Sequence, residues 1–170
     1  MYQGELDGLC GMYAIVNALE ECGETCSAET FESACSAIAK NRWPSVLWEG
    51  TTFEDIQKMV KKCLPEGCPI KVSYPFKDNV PASNKDYWSQ FDLIFEDDSV
   101  LCAIVGLTKP SLHWIVASKD GGRICFTDST PGKPYERKNR TSLHAGSRRK
   151  KYSQWLLDKQ ELIVFSRTNA

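Results

Sequence analysis

The spacing of apolar residues changes near residue 70, and this change restricts the chain to one fold class. Up to about residue 64, apolar residues recur at offsets of three and four, a spacing typical of amphipathic helices. Residues 70–74 alternate between apolar and polar, which predicts a strand, and residues 100–107 are apolar throughout, which predicts a central strand covered on both faces. Helical spacing returns over residues 84–95. The sequence therefore predicts an α+β protein in which helices come first and most strands follow.

Length and composition indicate a single domain spanning residues 1–170. With 42% hydrophobic residues and a net charge of -1, a chain of this length can bury a core of its own. We expect a helical lobe from about residues 8–64 and 84–96, packed on a sheet from about residues 70–74 and 100–168. The sequence contains no apolar run long enough to span a bilayer and no signal-peptide pattern. It thus predicts a cytoplasmic protein, or one delivered into a host cytosol.

Local signals indicate where several elements begin and end. Ser27 is expected to cap the second helix. Residues 43–50 are expected to form a loop, whose two tryptophans either pack on the domain or form a wall of a substrate groove. Near the C terminus, residues 152–157 predict a short helix and residues 161–166 a final strand.

Cys10 stands where a loop turns into the first helix. Gly8 and Gly11 lie on either side of it and allow backbone to approach the sulfur closely. In the first turn of a helix, unpaired N–H groups and the positive end of the helix dipole favour a thiolate, which is the nucleophilic form of cysteine. The same pattern also fits a buried cysteine with a purely structural role. A catalytic function can therefore be assigned to Cys10 only if the sequence also supplies a base and the group that orients it. The stripe that buries this helix consists of Met12, Ile15, Val16 and Leu19.

Asp-Gly-Gly at residues 120–122 is a hairpin signal between two predicted strands, residues 112–119 and 123–127. A two-residue loop made of either Asp-Gly or Gly-Gly places His113 and Asp128 on the same face of the hairpin. They are directly opposed in the first register and diagonal in the second. A carboxylate that holds one imidazole nitrogen turns the other towards a nucleophile. The hairpin therefore predicts a general base and its orienting group.

The chain carries four short motifs in this order: Gln3, Asp7-Gly8-Leu9-Cys10-Gly11, His113-Trp114 and Thr127-Asp128-Ser129. Together these motifs resemble the papain-like cysteine peptidases. The chain is most similar to compact branches of that superfamily, the bacteriocin-leader-processing peptidases and the Josephin-type deubiquitinases. The resemblance implies a papain-like fold, in which a helical lobe carrying the nucleophile packs on a small antiparallel sheet carrying the base. It also implies Cys10 as nucleophile, His113 as base and proton donor, Asp128 as the group orienting His113, and Gln3 as oxyanion-hole donor.

The eight cysteines are expected to be reduced thiols. Zinc is disfavoured, because no C-x-x-C motif occurs and the two histidines lie far downstream of the paired cysteines. A metal site formed by Cys22, Cys26, Cys63 and Cys68 stays open. We expect neither a metal nor an organic cofactor, because a thioester mechanism requires none.

Charge is distributed unevenly along the chain. Residues 1–39 hold seven acids and no base, which suits a basic protein substrate such as ubiquitin. Residues 133–151 hold eight basic residues and one acid. The basic run at residues 148–151 predicts a solvated loop. The alternatives that remain open are binding of an acidic substrate, binding of nucleic acid, and a nuclear localisation signal. A nucleic-acid partner is disfavoured by the near-neutral net charge, and no membrane partner is expected.

Three functions are compatible with these residues. The first is a thiol hydrolase that cuts peptide or isopeptide bonds. The second is a transglutaminase-like acyl or amide transferase that uses the same three residues with an amine in place of water. The third is a non-catalytic interaction module of the same fold. The long interval between Cys10 and His113 fits the peptidase layout better than the shorter interval of transglutaminases.

Overall fold

The computed structural model describes residues 8–64, 66–120, 123–130, 140–147 and 154–168. Within these ranges the chain forms five α-helices and six strands, which confirms the predicted α+β class. In chain order they are α1 (Cys10–Glu21), α2 (Ala28–Ala37), α3 (Val46–Glu49), α4 (Phe53–Cys63), β1 (Ile70–Ser73), α5 (Asn84–Glu96), β2 (Val100–Lys109), β3 (His113–Asp120), β4 (Arg123–Thr127), β5 (Leu143–Ala145) and β6 (Trp155–Arg167).

The strands form one sheet in the order β1-β6-β2-β3-β4. Neighbours on this path are antiparallel, and β5 pairs with β6 in parallel. The apolar stretch at residues 100–107 falls in β2, the middle strand of the path, and residues 102–107 are all buried. The prediction of a central strand covered on both faces is confirmed.

Each face of the sheet carries its own apolar cluster, because successive side chains of a strand point to opposite faces. Cys102 and Ile104 of β2 join the cluster formed with α1, α2 and α4. Ala103 and Val105 join the cluster formed with α5. The structure therefore places α5 across the sheet from α1, whereas the sequence grouped residues 84–96 with the first helices. Helical spacing shows that one side of a helix is buried, but not which face of a sheet buries it.

Two local predictions are wrong. Residues 43–50 are not all loop, because they contain the one-turn helix α3. Of the predicted helix at residues 152–157, residues 152 and 153 lie outside the described ranges, residue 154 is in neither a helix nor a strand, and residues 155–157 belong to β6. Over so few residues helical and strand spacing are hard to separate, and pairing with β2 and β5 decides the outcome.

Other local predictions are confirmed. Ser27 is the cap of α2, and its backbone N–H donates to the Thr30 hydroxyl at 3.3 Å. Residues 161–166 are strand, as the last part of β6. In the described part of the chain, no helix combines the length and apolar character needed to cross a membrane.

Candidate active site

Cys10 is the first residue of α1, and only 5% of its surface is exposed. Its thiol is oriented towards the Gly8 carbonyl, at 3.9 Å. The stripe predicted to bury the helix does so, since Met12, Ile15, Val16 and Leu19 are all buried. The structure thus places Cys10 at the start of the first helix, as the sequence predicted.

Both glycines beside Cys10 are sites of close backbone packing. A Cβ atom on Gly11 would lie 2.1 Å from Thr51 Oγ1 and 2.3 Å from Ile56 Cδ1. A Cβ atom on Gly8 would lie 2.9 Å from the Leu47 carbonyl oxygen, which accepts a hydrogen bond from the Gly8 N–H at 2.6 Å. The glycines therefore let α3, α4 and the segment between them approach the start of α1, in addition to leaving room around the sulfur.

His113 and Asp128 meet as the hairpin predicted. The pairing of Asp120 with Arg123 selects the second of the two expected registers, in which the histidine and the carboxylate are diagonal. His113 Nε2 lies 2.7 Å from Asp128 Oδ1, and both side chains are largely buried. The turn itself, at residues 121–122, lies outside the described ranges.

Asp128 is held as a carboxylate by several donors on one oxygen. Besides the imidazole, Oδ1 accepts hydrogen bonds from the Thr130 N–H at 2.9 Å and the Thr130 hydroxyl at 2.7 Å. Burial alone would raise the pKa of this carboxyl group, but the hydrogen bond and charge of His113 and the two Thr130 donors lower it to about 2. Sequence reasoning missed Thr130. An aspartate that bonds the backbone two residues later is a local turn signal that could have indicated it.

The imidazole of His113 is placed between the carboxylate and the thiol. Burial lowers the pKa of His113, but hydrogen bonds to Asp128 and Cys10, together with the charges of those groups, raise it to about 9. Since Nε2 is engaged by Asp128, Nδ1 is the nitrogen left for the sulfur. The structure therefore brings Cys10, His113 and Asp128 together, with the imidazole hydrogen-bonded to the carboxylate and placed next to the thiol.

Gln3, the expected oxyanion-hole donor, lies outside the described residues, as does Asp7. Of the four residues predicted for the site, three are thus described and in contact.

The segment at residues 50–52 joins the two halves of the site, and sequence reasoning missed it. The Trp114 indole N–H donates to the Thr51 carbonyl at 3.2 Å, next to the predicted base. The Arg42 guanidinium donates to the Gly50 carbonyl at 3.2 Å and to Asp55 Oδ2 at 3.0 Å. Because Gly11 packs on Thr51 from the other side, this one segment contacts both the helix of the thiol and the strand of the imidazole.

All eight cysteines are free thiols. Among the described residues, no group of three or more His, Cys, Asp or Glu side chains could hold a metal ion, so the site left open at Cys22, Cys26, Cys63 and Cys68 is not formed. Burial is the largest cause of the raised pKa values of Cys26, Cys35, Cys63 and Cys68. In Cys102 the largest cause is a hydrogen bond to Cys22, and burial comes second. The pKa is raised to about 11 in Cys26 and Cys63, and it is raised in Cys35, Cys68 and Cys102.

Comparison with known proteins gave no match, since no family model, no curated protein and no solved structure matches this chain. The function therefore has to be argued from the chemistry of the site.

Proposed function

We propose that this protein is a cysteine peptidase with a papain-like fold that hydrolyses a peptide or isopeptide bond. The observation that carries the proposal is the row of Cys10, His113 and Asp128, with 2.7 Å between imidazole and carboxylate. The arrangement of a helix that begins at the thiol and packs on a mainly antiparallel sheet bearing the imidazole supports the papain-like fold.

The protonated imidazole suits this chemistry, because a cation beside the sulfur favours the thiolate. The thiolate attacks the substrate carbonyl and forms a carbon–sulfur bond, with the negative charge moving to the oxygen. When the tetrahedral intermediate collapses, the carbon–nitrogen bond breaks and the leaving amine takes a proton from His113. Water then attacks the thioester and gives its proton to His113, and the acid and the thiolate are released.

Asp128 acts on His113 and not on the substrate. Its hydrogen bond to Nε2 fixes the ring so that Nδ1 faces the sulfur, and its charge stabilises the imidazolium. Thr130 holds the carboxylate in turn. We propose that Gln3 donates to the oxyanion beside the Cys10 N–H, that the substrate is a protein or peptide, with ubiquitin-like proteins included, and that the protein acts in the cytoplasm.

The experiment that tests the proposal is alkylation of the intact protein by iodoacetamide at pH 6, with the label located by mass spectrometry. We expect Cys10 to be labelled faster than a free thiol in a reference peptide, while the five thiols with raised pKa values stay unlabelled. In His113→Ala the rate should fall to that of the reference. A Cys10 rate no faster than the reference in the wild type would refute the proposal and favour a non-catalytic module.

Hydrolysis and acyl transfer differ only in the molecule that attacks the thioester. Cleavage of peptide substrates in the presence of an added primary amine separates them, because mass spectrometry identifies either the free acid or the amide. We expect the free acid, and we expect His113→Ala to slow its formation by about 10²–10⁴-fold.

A further inference from the structure

Four large apolar side chains are strongly exposed in the described part of the chain. The exposed fractions are 73% for Trp48, 74% for Leu112, 64% for Leu93 and 41% for Val80. Isolated apolar residues are common on protein surfaces, so exposure alone carries no meaning. The positions of the two most exposed side chains set them apart.

Trp48 lies in a segment that packs directly on the backbone before Cys10. The Gly8 N–H donates to the Leu47 carbonyl at 2.6 Å, and a Cβ atom on Gly8 would lie 3.1 Å from the Gly50 nitrogen. Trp48 is between these two contacts, and its side chain extends into solvent. It therefore sits at the edge of the site on the side of the helices.

Trp43 gives the contrast within the same stretch of sequence. Its side chain is partly buried and packs on the core of α1, α2 and α4. Of the two tryptophans predicted either to pack on the domain or to form a groove wall, Trp43 packs and Trp48 stays free for a ligand.

Leu112 holds the corresponding position on the side of the sheet. Residues 110–112, which link β2 to β3, are all exposed. The next residue is His113, whose ring bonds both Cys10 and Asp128. Leu112 thus directly precedes the residue that carries the imidazole, and Trp48 lies in the segment that contacts Gly8, two residues before the thiol.

We propose that Trp48 and Leu112 are specificity-determining residues and that the substrate is a polypeptide with large apolar side chains next to the bond that is attacked. This inference rests on the proposed cysteine peptidase function. Because only 5% of Cys10 is exposed, the cysteine offers little surface of its own to a substrate, and the contacts that select the substrate have to come from residues around it. Covering an exposed tryptophan and leucine with apolar side chains removes apolar surface of both partners from water.

The test is digestion of a proteome-derived peptide library by the full chain, with both sides of each cleaved bond identified by mass spectrometry. We expect large apolar residues to be enriched within a few positions of the cleaved bond. Trp48→Ala and Leu112→Ala should each lower the cleavage rate of such peptides about tenfold, as loss of a central apolar contact does. Trp48→Phe should restore most of the rate.

The matched control is Leu93→Ala, because Leu93 is similarly exposed but lies on α5, across the sheet from α1. It should cleave as the wild type does. Iodoacetamide labelling of Cys10 reports whether the site is intact in every variant. Slow labelling of the wild type would refute the proposed function and this inference with it. Fast labelling, combined with either no cleavage, no apolar preference or an unchanged rate in both alanine variants, would refute this inference alone.

Discussion

His113 keeps its proton although its side chain is only 13% exposed. Burial disfavours an imidazolium, but hydrogen bonds to and electrostatic interactions with Asp128 and Cys10 outweigh it and raise the pKa of His113 to about 9. The proton that the leaving amine needs is therefore already present on His113 at neutral pH.

This protonation state can be measured directly, because the chain has only two histidines. In an NMR titration of the imidazole C–H signals, we expect one midpoint near pH 9 and assign it to His113 by comparison with His144→Gln. In Asp128→Asn the midpoint should move to lower pH, since the carboxylate raises the pKa of His113 through both its hydrogen bond and its charge. A midpoint near 6.5 in the wild type, unmoved by this substitution, would contradict the assignment.

The same pKa predicts the alkaline limit of peptide cleavage. As the pH rises through about 9, His113 loses the proton that it gives to the leaving amine, so kcat/KM should fall. In Asp128→Asn this decline should begin at lower pH. A pH–rate profile of both proteins checks it, and an alkaline limb at the same pH in both would show that Asp128 does not set the protonation of the base.

At the scale of elements, the site depends on the close approach of α1 to α4 and to residues 50–52, the segment that directly precedes α4. We expect Gly11→Ala to destabilise the protein by about 1–3 kcal/mol, because its Cβ atom would overlap Thr51 and Ile56. Urea unfolding measures the loss. In an Ile56→Val background the same substitution should cost less, since one methyl group is removed from the contact. An equal cost in both backgrounds would place the strain elsewhere.

The start of α4 is held by Asp55. Its Oδ2 accepts from the Thr52 N–H and the Thr52 hydroxyl, each at 2.9 Å, and from Arg42 at 3.0 Å. We expect Asp55→Ala to lower the free energy of unfolding by about 2–3 kcal/mol, since it removes the carboxylate that bonds the cap residue Thr52 and leaves Arg42 without this partner.

Glu54→Ala is the matched control for Asp55→Ala. Glu54 is the preceding residue, and it is also paired with a base, Lys58, but at an exposed position. Urea unfolding should show almost no change for Glu54→Ala. Equal losses of unfolding free energy in Asp55→Ala and Glu54→Ala would argue against a special role for the pair of Arg42 and Asp55.

What the sequence could and could not predict follows from the range of the interactions. The contact of His113 with Asp128 was predictable, because either two-residue loop keeps both residues on one face. The roles of Arg42 and Trp114 were not, since packing among the helices brings Gly50 and Asp55 to Arg42, and packing of the helices on the sheet brings Thr51 to Trp114. The strand at residues 155–157 was missed for the same reason, because it pairs with β2, which lies far away in sequence.

At the scale of the whole molecule, the pair of His113 and Asp128 makes stability depend on pH. The pKa of His113 is raised from 6.5 to about 9, so its contribution is complete below 6.5 and is lost as the pH rises through 9. The pKa of Asp128 is lowered from 3.8 to about 2, so its contribution is complete above 3.8 and is lost as the pH falls through 2. Both contributions are complete only between pH 3.8 and 6.5.

We therefore expect the difference in unfolding free energy between the wild type and Asp128→Asn to be largest at pH 5 and to narrow towards pH 9.5. Urea unfolding at pH 5, 7 and 9.5 measures it, with Glu54→Ala as a substitution whose effect should not vary in this way. A difference that grows with pH would reverse the assigned charge states.

The tight fit around Gly11 also bears on ancestry. A Cβ atom at this position meets Thr51 and Ile56 at little more than 2 Å, so the three positions have to change together. A divergent homologue with alanine or serine at position 11 is expected to carry a smaller residue at position 51 or 56. Such covariation of positions 11, 51 and 56, combined with a cysteine at position 10, would identify distant homologues whose overall sequence identity is too low to detect.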